Sequence, residues 1–289
     1  MRNMITDKFS KTTSLLLIAT ISLAMAGTVS AADVVDPSVK YDGEPLQLVT
    51  FFLFFVGYIS MGAAFVFFMS ERSNVAPQYR TTMTISALIV GIAAFHYYYM
   101  RAVYTDLGTV SVEYRYMDWI ITVPLMALKF PSLVGKEAIT DSKFLGMGFT
   151  GICFTGALIM IGFGYLGESG VLGEVMGAAA GGWAGLILGG VGWAMIIVAT
   201  GTPWSSGKGV DNSKIAPELM WSANALRWFI VVGWIIYPIG YLFPVIFDAG
   251  NEGAETARQL AYTVADITAK ALFGLMILNI AKARSGDNN

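Results

Sequence analysis

The chain has 289 residues, 55% of them hydrophobic and only 13% charged, with 18 Lys and Arg against 20 Asp and Glu. Soluble domains carry about one quarter charged residues, so a mean hydropathy of +0.62 excludes a soluble domain and marks a polytopic membrane protein. A net charge of −2 with no basic block offers nothing to nucleic acid. The single cysteine, Cys153, supplies no disulfide or thiolate metal site, and the single histidine, His96, excludes a multi-histidine metal centre and a haem held by two histidines.

Arg2, Lys8 and Lys11 precede the apolar run 13–27, and Ala31-Ala32 follows it. A positive start, an apolar middle and a small-residue end are the parts of a secretory signal peptide. Cleavage after Ala31 is the expectation, with residues 32–289 as the mature domain; a retained first helix is the rival reading. Seven further apolar runs follow, at 46–69, 81–100, 114–130, 144–166, 171–200, 219–247 and 258–283. Each is long enough to cross a bilayer as a helix, allowing for tilt. Continuous apolar runs are not the alternation of barrel strands, so no strands are expected. Short connections make the whole one domain.

Lys and Arg set the orientation. Arg72, Arg80, Lys136, Lys143, Lys208, Lys214, Lys282 and Arg284 fall on one side, while the connections of the other side hold only Lys40, Arg101 and Arg258. The chain is therefore expected to be an all-α seven-helix bundle, with the N-terminus outside and the C-terminus in the cytoplasm. The fifth run carries seven glycines between Gly177 and Gly192, a pattern that lets helices approach closely.

The chemistry sits in three runs. In the third, Arg115, Asp118, Thr122 and Lys129 form one polar stripe, because eleven residues from Asp118 to Lys129 return to within about 20° in azimuth at a rise of ~16 Å. Such a stripe is the layout of a proton or ion path. Each member has a plainer alternative: Arg115 as an interfacial anchor, Asp118 as its structural partner, Lys129 snorkelling to the surface. Pro124 is expected to kink the helix. In the seventh run Asp266 and Lys270 are one turn apart on one face. A lysine at mid-membrane depth is costly and has a partner or a task. Its amine can condense with an aldehyde to a Schiff base; the alternative is a structural salt bridge. In the sixth run Trp234, Tyr237 and Tyr241 share a face, and Trp119, Trp193 and Met160 come from other runs. Their convergence on Lys270 would suit a long, flat, apolar aldehyde held covalently. Packing or an interfacial belt is the plainer alternative.

At these residues the sequence resembles the microbial rhodopsins, and within them the proteorhodopsin group. The matching motifs are Arg115-Tyr-Met-Asp-Trp-Ile-Ile-Thr-Val-Pro124, Trp234-Ile-Ile-Tyr-Pro-Ile-Gly-Tyr241, Asp266-Ile-Thr-Ala-Lys270, Gly91-Ile-Ala-Ala-Phe-His-Tyr-Tyr-Tyr-Met-Arg101 and Gly164-Tyr-Leu-Gly-Glu-Ser-Gly170. The resemblance implies a light-driven outward proton pump in the inner membrane of a bacterium, not an enzyme. It implies all-trans retinal on Lys270 as a protonated Schiff base, lined by Trp119, Met126, Met160, Trp193, Trp234, Tyr237, Pro238 and Tyr241. It makes Asp118 the counterion and proton acceptor, Asp266 the second counterion with Arg115 beside them, and His96 the partner of Asp118. It also implies a ring of several copies of the chain. Asp118 and Thr122 argue against the sodium-pump and chloride-pump subfamilies. Met126 goes with green absorption, and Leu186, where carotenoid-binding relatives have glycine, argues against an antenna carotenoid. One departure stands out: Lys129 occupies the position of the usual carboxylic proton donor, and is expected to serve as donor itself. Two rivals remain, a photosensor signalling through a partner and a retinal-free seven-helix transporter or receptor.

Overall fold

The computed structural model describes residues 44–140, 142–247 and 251–286; the expected signal peptide lies outside them. Helices α1 (Pro45–Glu71), α2 (Arg80–Leu107), α3 (Val112–Leu128), α4 (Phe149–Glu168) and α5 (Ala178–Thr200) each make one crossing. Helices α6 (Pro217–Val231) and α7 (Ile236–Phe247) form a sixth crossing, joined through a 3-10 turn at Gly233–Ile235. Helices α8 (Glu252–Asp266) and α9 (Phe273–Gly286) form the seventh, joined through a π-helical stretch at Ile267–Leu272. Six crossings are long and apolar enough to span by length and hydropathy alone. The seventh, α3, has 17 residues and carries Glu113, Arg115 and Asp118, which lower its hydropathy; a further turn at Phe130–Val134 extends it.

The bundle is apolar outside and polar within. Phe52, Phe55, Val56 and Ile59 of α1, and Ile187 and Val191 of α5, are exposed where lipid would meet them. Arg115, Asp118, Thr122, Lys129, Arg227, Gln259, Asp266 and Lys270 are buried. Charged groups point inward because hydrocarbon offers them no partner. The glycines of α5 act as the sequence suggests: a Cβ on Gly192 would lie 2.4 Å from the Gly156 carbonyl oxygen and 2.4 Å from the Met160 nitrogen of α4. The two backbones touch, and only glycine permits it.

Three sequence expectations need correction. The run 144–166 does not begin a helix at once: Phe144 and Met147 bond to each other across a tight turn, with Leu145 and Gly146 at positive φ, and α4 starts at Phe149. The run 171–200 breaks at Gly177, whose φ of +87° ends a short helix, Val171–Met176, before α5 begins. A small hairpin, Gly201–Thr202 with Ser205–Ser206, lies in the connection after α5. It turns the chain back at Gly201, in a loop to which the argument from apolar runs does not apply. Pro124, where a kink is expected, lies inside α3, which runs to Leu128 before the turn at Lys129.

Candidate functional site

The site is built where the seventh crossing loosens. A π-helical turn inserts an extra residue and is frequent at functional sites, and Lys270 lies within it, 3% exposed. Its Nζ donates to Asp118 Oδ2 from α3 and lies 3.2 Å from Asp266 Oδ1 one turn earlier. Both readings of the Asp266–Lys270 pair therefore begin from a real contact, to which the fold adds Asp118.

The two carboxylates are treated unequally. Asp266 accepts from Trp119 Nε1 at 3.0 Å, Tyr237 hydroxyl at 2.8 Å and Tyr97 hydroxyl at 3.0 Å, with Arg115 Nη1 at 3.9 Å. Asp118 receives Lys270 on one oxygen, while its buried Oδ1 has no hydrogen-bond partner among the described residues. Asp266 is thus the carboxylate whose oxygens are taken up by donors, and Asp118 is the one with an oxygen left open among the described residues.

Arg115 is buried and turned to α8 rather than to Asp118. Its Nε and Nη2 donate to Gln259 Oε1 at 2.8 and 2.7 Å, its Nη2 to Thr263 Oγ1 at 3.1 Å, and its Nη1 to the Tyr97 hydroxyl at 3.0 Å. It is neither an interfacial anchor nor hydrogen-bonded to Asp118. Thr122 spends its hydroxyl on the backbone carbonyl of Asp118 at 3.0 Å. His96 is half-buried; its Nδ1 lies 3.0 Å from the Ile92 carbonyl of its own helix, and it stands within electrostatic reach of Asp118 without a hydrogen bond to either carboxylate oxygen. Lys129 is 1% exposed, with Nζ 3.4 Å from Ser86 Oγ of α2 and 4.6 Å from the centre of the Phe273 ring. The snorkelling alternative for Lys129 is therefore overturned: the chain bends at this residue and turns the amine into the bundle.

Beside Lys270 lies a cavity of about 340 Å³. Its walls include Trp119, Met126, Met160, Trp193, Trp234, Tyr237, Pro238 and Tyr241, with Lys270 as its only amine. Leu186 stands in the same wall among Gly185, Gly189 and Gly190. The polar ends of two lining rings are tied to backbone, Trp193 Nε1 to the Ile230 carbonyl at 3.0 Å and the Tyr241 hydroxyl to the Gly182 carbonyl at 2.8 Å. Trp119 meets Tyr237 and Tyr262 edge-to-face at 5.2 and 5.0 Å, stiffening the wall. Small-molecule sites run about 300–1,000 Å³ and are mostly apolar with few polar anchors. A nearly apolar pocket ending on one buried amine fits an apolar aldehyde. Among the described residues no group of three or more His, Cys, Asp or Glu is placed to hold a metal ion.

Sequence reasoning missed Tyr97, Gln259, Thr263 and Ser86. A signal existed for two of them: Gln259, Thr263, Asp266 and Lys270 are spaced by four, three and four residues and share one helical face.

A membrane bundle of seven helices closed around a buried lysine and two carboxylates is the class that fold and site define. The model of the bacteriorhodopsin-like protein family matches residues 48–284, and the chain belongs to that family. It is 32% identical to the green-light absorbing proteorhodopsin of Gamma-proteobacterium EBAC31A08, over 94% of this chain and 99% of the relative. The crystal structure of Exiguobacterium sibiricum rhodopsin superposes with a TM-score of 0.68 at 32% identity, covering 83% of this chain and 98% of that one. Xanthorhodopsin, described as a light-driven ion pump with dual chromophore, gives a TM-score of 0.69 at 28% identity, covering 85% and 96%.

Proposed function

We propose that the chain is a light-driven outward proton pump, with all-trans retinal carried on Lys270. It is a transporter rather than an enzyme, set in the inner membrane of a bacterium with its N-terminus outside. The observation that carries this reading is the Lys270 amine, held at the end of an apolar cavity between two carboxylates of unequal satisfaction. The kinship with proteorhodopsins and with a protein described as a light-driven ion pump supports it. So does the resemblance for the expected ring of several subunits.

Retinal bound there supplies light absorption and a change of shape at the Lys270 nitrogen. The chain's own groups do the rest. Lys270 Nζ gives its proton to Asp118, whose free Oδ1 leaves it able to accept. Asp266, held by its three donors, and Arg115 beside it fix the geometry around the Lys270 amine. Lys129 takes a proton from the cytoplasmic side and returns it to Lys270. His96 acts on Asp118 through its field, and Thr122 fixes the backbone that carries Asp118.

The test is to express the chain with all-trans retinal and record the pH of an unbuffered cell suspension under light. Acidification that a protonophore abolishes is expected, and Asp118→Asn should reduce it to background. One observation favours a second reading, a photosensor: the Lys129 amine rests against the Ser86 hydroxyl and an aromatic ring, surroundings that suit slow proton return. A pigment that forms but leaves the external pH unchanged would support the sensor and sink the pump.

A further inference from the structure

The cavity beside Lys270 must be filled after the bundle has formed, and its walls differ in how they could let an apolar molecule through. Toward the outer side Arg115 is bonded to Gln259 and Tyr97, a charged network that such a molecule would cross at a cost. An apolar aldehyde concentrates in the hydrocarbon of the bilayer rather than in water, so the walls that face lipid decide how it arrives. The wall between α4 and α5 is shut by backbone contact at Gly156 and Gly192. The wall between α5 and the sixth crossing is built differently.

Around the cavity this wall is pinned by the bonds from Tyr241 to the Gly182 carbonyl and from Trp193 to the Ile230 carbonyl. On α5 the two pins are eleven residues apart, a rise of ~16 Å. On the sixth crossing one pin holds α7 and the other α6, so the 3-10 turn Gly233–Ile235 lies between them. Such a stretch within a helix often marks a hinge. Between the pins α5 offers the cavity Gly185, Leu186, Gly189 and Gly190. A Cβ on Gly185 would lie 2.6 Å from Gly167 Cα and one on Gly189 3.2 Å from the Met160 carbonyl oxygen, so these two face α4. A Cβ on Gly190 would meet nothing within 4 Å. Gly190 lies within about 20° in azimuth of the exposed Trp183, and Leu186 about 40° further round. Both are half-buried. Gly190 thus belongs to the lipid face and to the cavity wall at once, with no side chain between the two. Across the gap Pro238 lines the cavity next to the exposed Ile239.

We propose that the aldehyde enters the folded apoprotein sideways from the bilayer, between α5 and the 3-10 turn of the sixth crossing, with Gly190 as the threshold and Leu186 as the shutter. This rests on the reading of retinal on Lys270 given above. The missing side chain at Gly190 leaves the passage, and rotation of the Leu186 side chain widens it. The turn at Gly233–Ile235 lets α6 and α7 part from α5 while the Trp193 and Tyr241 bonds keep the helices in register. Once the chain is seated, the Leu186 side chain returns to the wall and separates it from lipid.

The test is the rate at which folded apoprotein in lipid nanodiscs takes up all-trans retinal delivered from phosphatidylcholine vesicles. The visible pigment band and the quenching of tryptophan fluorescence follow it in time. Gly190→Ile fills open space, so the bundle should fold, and uptake should slow by at least about tenfold, as for binding that needs a conformational change. Leu186→Ala should speed uptake. Gly62→Ile, on α1 and likewise with nothing within 4 Å of a Cβ, should leave the rate unchanged. Gly190→Ile should recover most of its pigment when the chain is expressed with retinal present throughout folding, because the entrance is then bypassed. Parent rates in both Gly190→Ile and Leu186→Ala would overturn the entrance and leave the pigment reading intact. Loss of pigment by both routes in Gly190→Ile would make residue 190 part of the seat, and would overturn its role as threshold. A parent protein that forms no pigment by either route would remove the retinal reading itself.

Discussion

The two halves of the bundle on either side of Lys270 are built differently. Toward Gln259 the polar groups are continuous: Asp266, Tyr97, Arg115, Gln259, Glu255, Arg258 and Glu168 follow one another at hydrogen-bond or ion-pair contact. Toward Lys129 the amine has the Ser86 hydroxyl at 3.4 Å and rests on Phe273, which stacks on the ring of Phe229 at 4.9 Å. One half is wired in advance, whereas in the other the amine lies against aromatic rings. A pump needs that asymmetry, because a proton that has reached Asp118 must find the way out easier than the way back.

The largest effect that tests this contrast is at its centre. Lys270→Ala should give no pigment at any retinal concentration, since the cavity holds no other amine. It should also destabilise the protein by about 3–5 kcal/mol, the cost of leaving one side of a buried ion pair uncompensated. Absorbance spectra and thermal unfolding of the two proteins read both effects; a coloured Lys270→Ala protein would end the argument. The next effect belongs to the half that holds Lys129. Lys129→Met fills the same volume without an amine, and the return of the proton to Lys270 should slow by roughly 10²-fold, the usual contribution of a positioned proton donor. Flash photolysis measures it directly. An unchanged rate would mean that the inner half conducts without Lys129.

The sequence carried the architecture and much of the centre, for physical reasons that differ by residue. Seven apolar runs are legible because a bilayer demands them. Asp266 and Lys270 are legible because charge at that depth is rare, and the aromatic wall because Trp234, Tyr237 and Tyr241 share a face. What escaped depends on neighbours distant in sequence. The π-helical turn at Ile267–Leu272 has no propensity signature. The partner of Arg115 is Gln259, 144 residues away, where the stripe on α3 pointed only to its own helix. Whether Lys129 snorkels or turns inward is decided by Ser86 and Phe273, on α2 and α9. The break at Gly177 was hidden because a glycine-rich apolar run reads as continuous until a positive φ is known.

The smallest effect is the most discriminating about how Lys129 is held. The Ser86 hydroxyl donates to the Thr82 carbonyl at 3.0 Å and accepts from the Lys129 amine at 3.4 Å, a long contact. A hydrogen bond contributes about 0.5–1.5 kcal/mol net, and the ring of Phe273 still supports the amine after Ser86→Ala, a cation–π contact of about 0.5–2 kcal/mol. Proton return should therefore slow by less than about tenfold, since 1.4 kcal/mol corresponds to a factor of ten. The double variant with Lys129→Met decides the cause. If Ser86 works by positioning the amine, removing it after the amine has gone should change nothing further, and the two effects should be strongly non-additive. Additive slowing would place Ser86 on a proton route of its own.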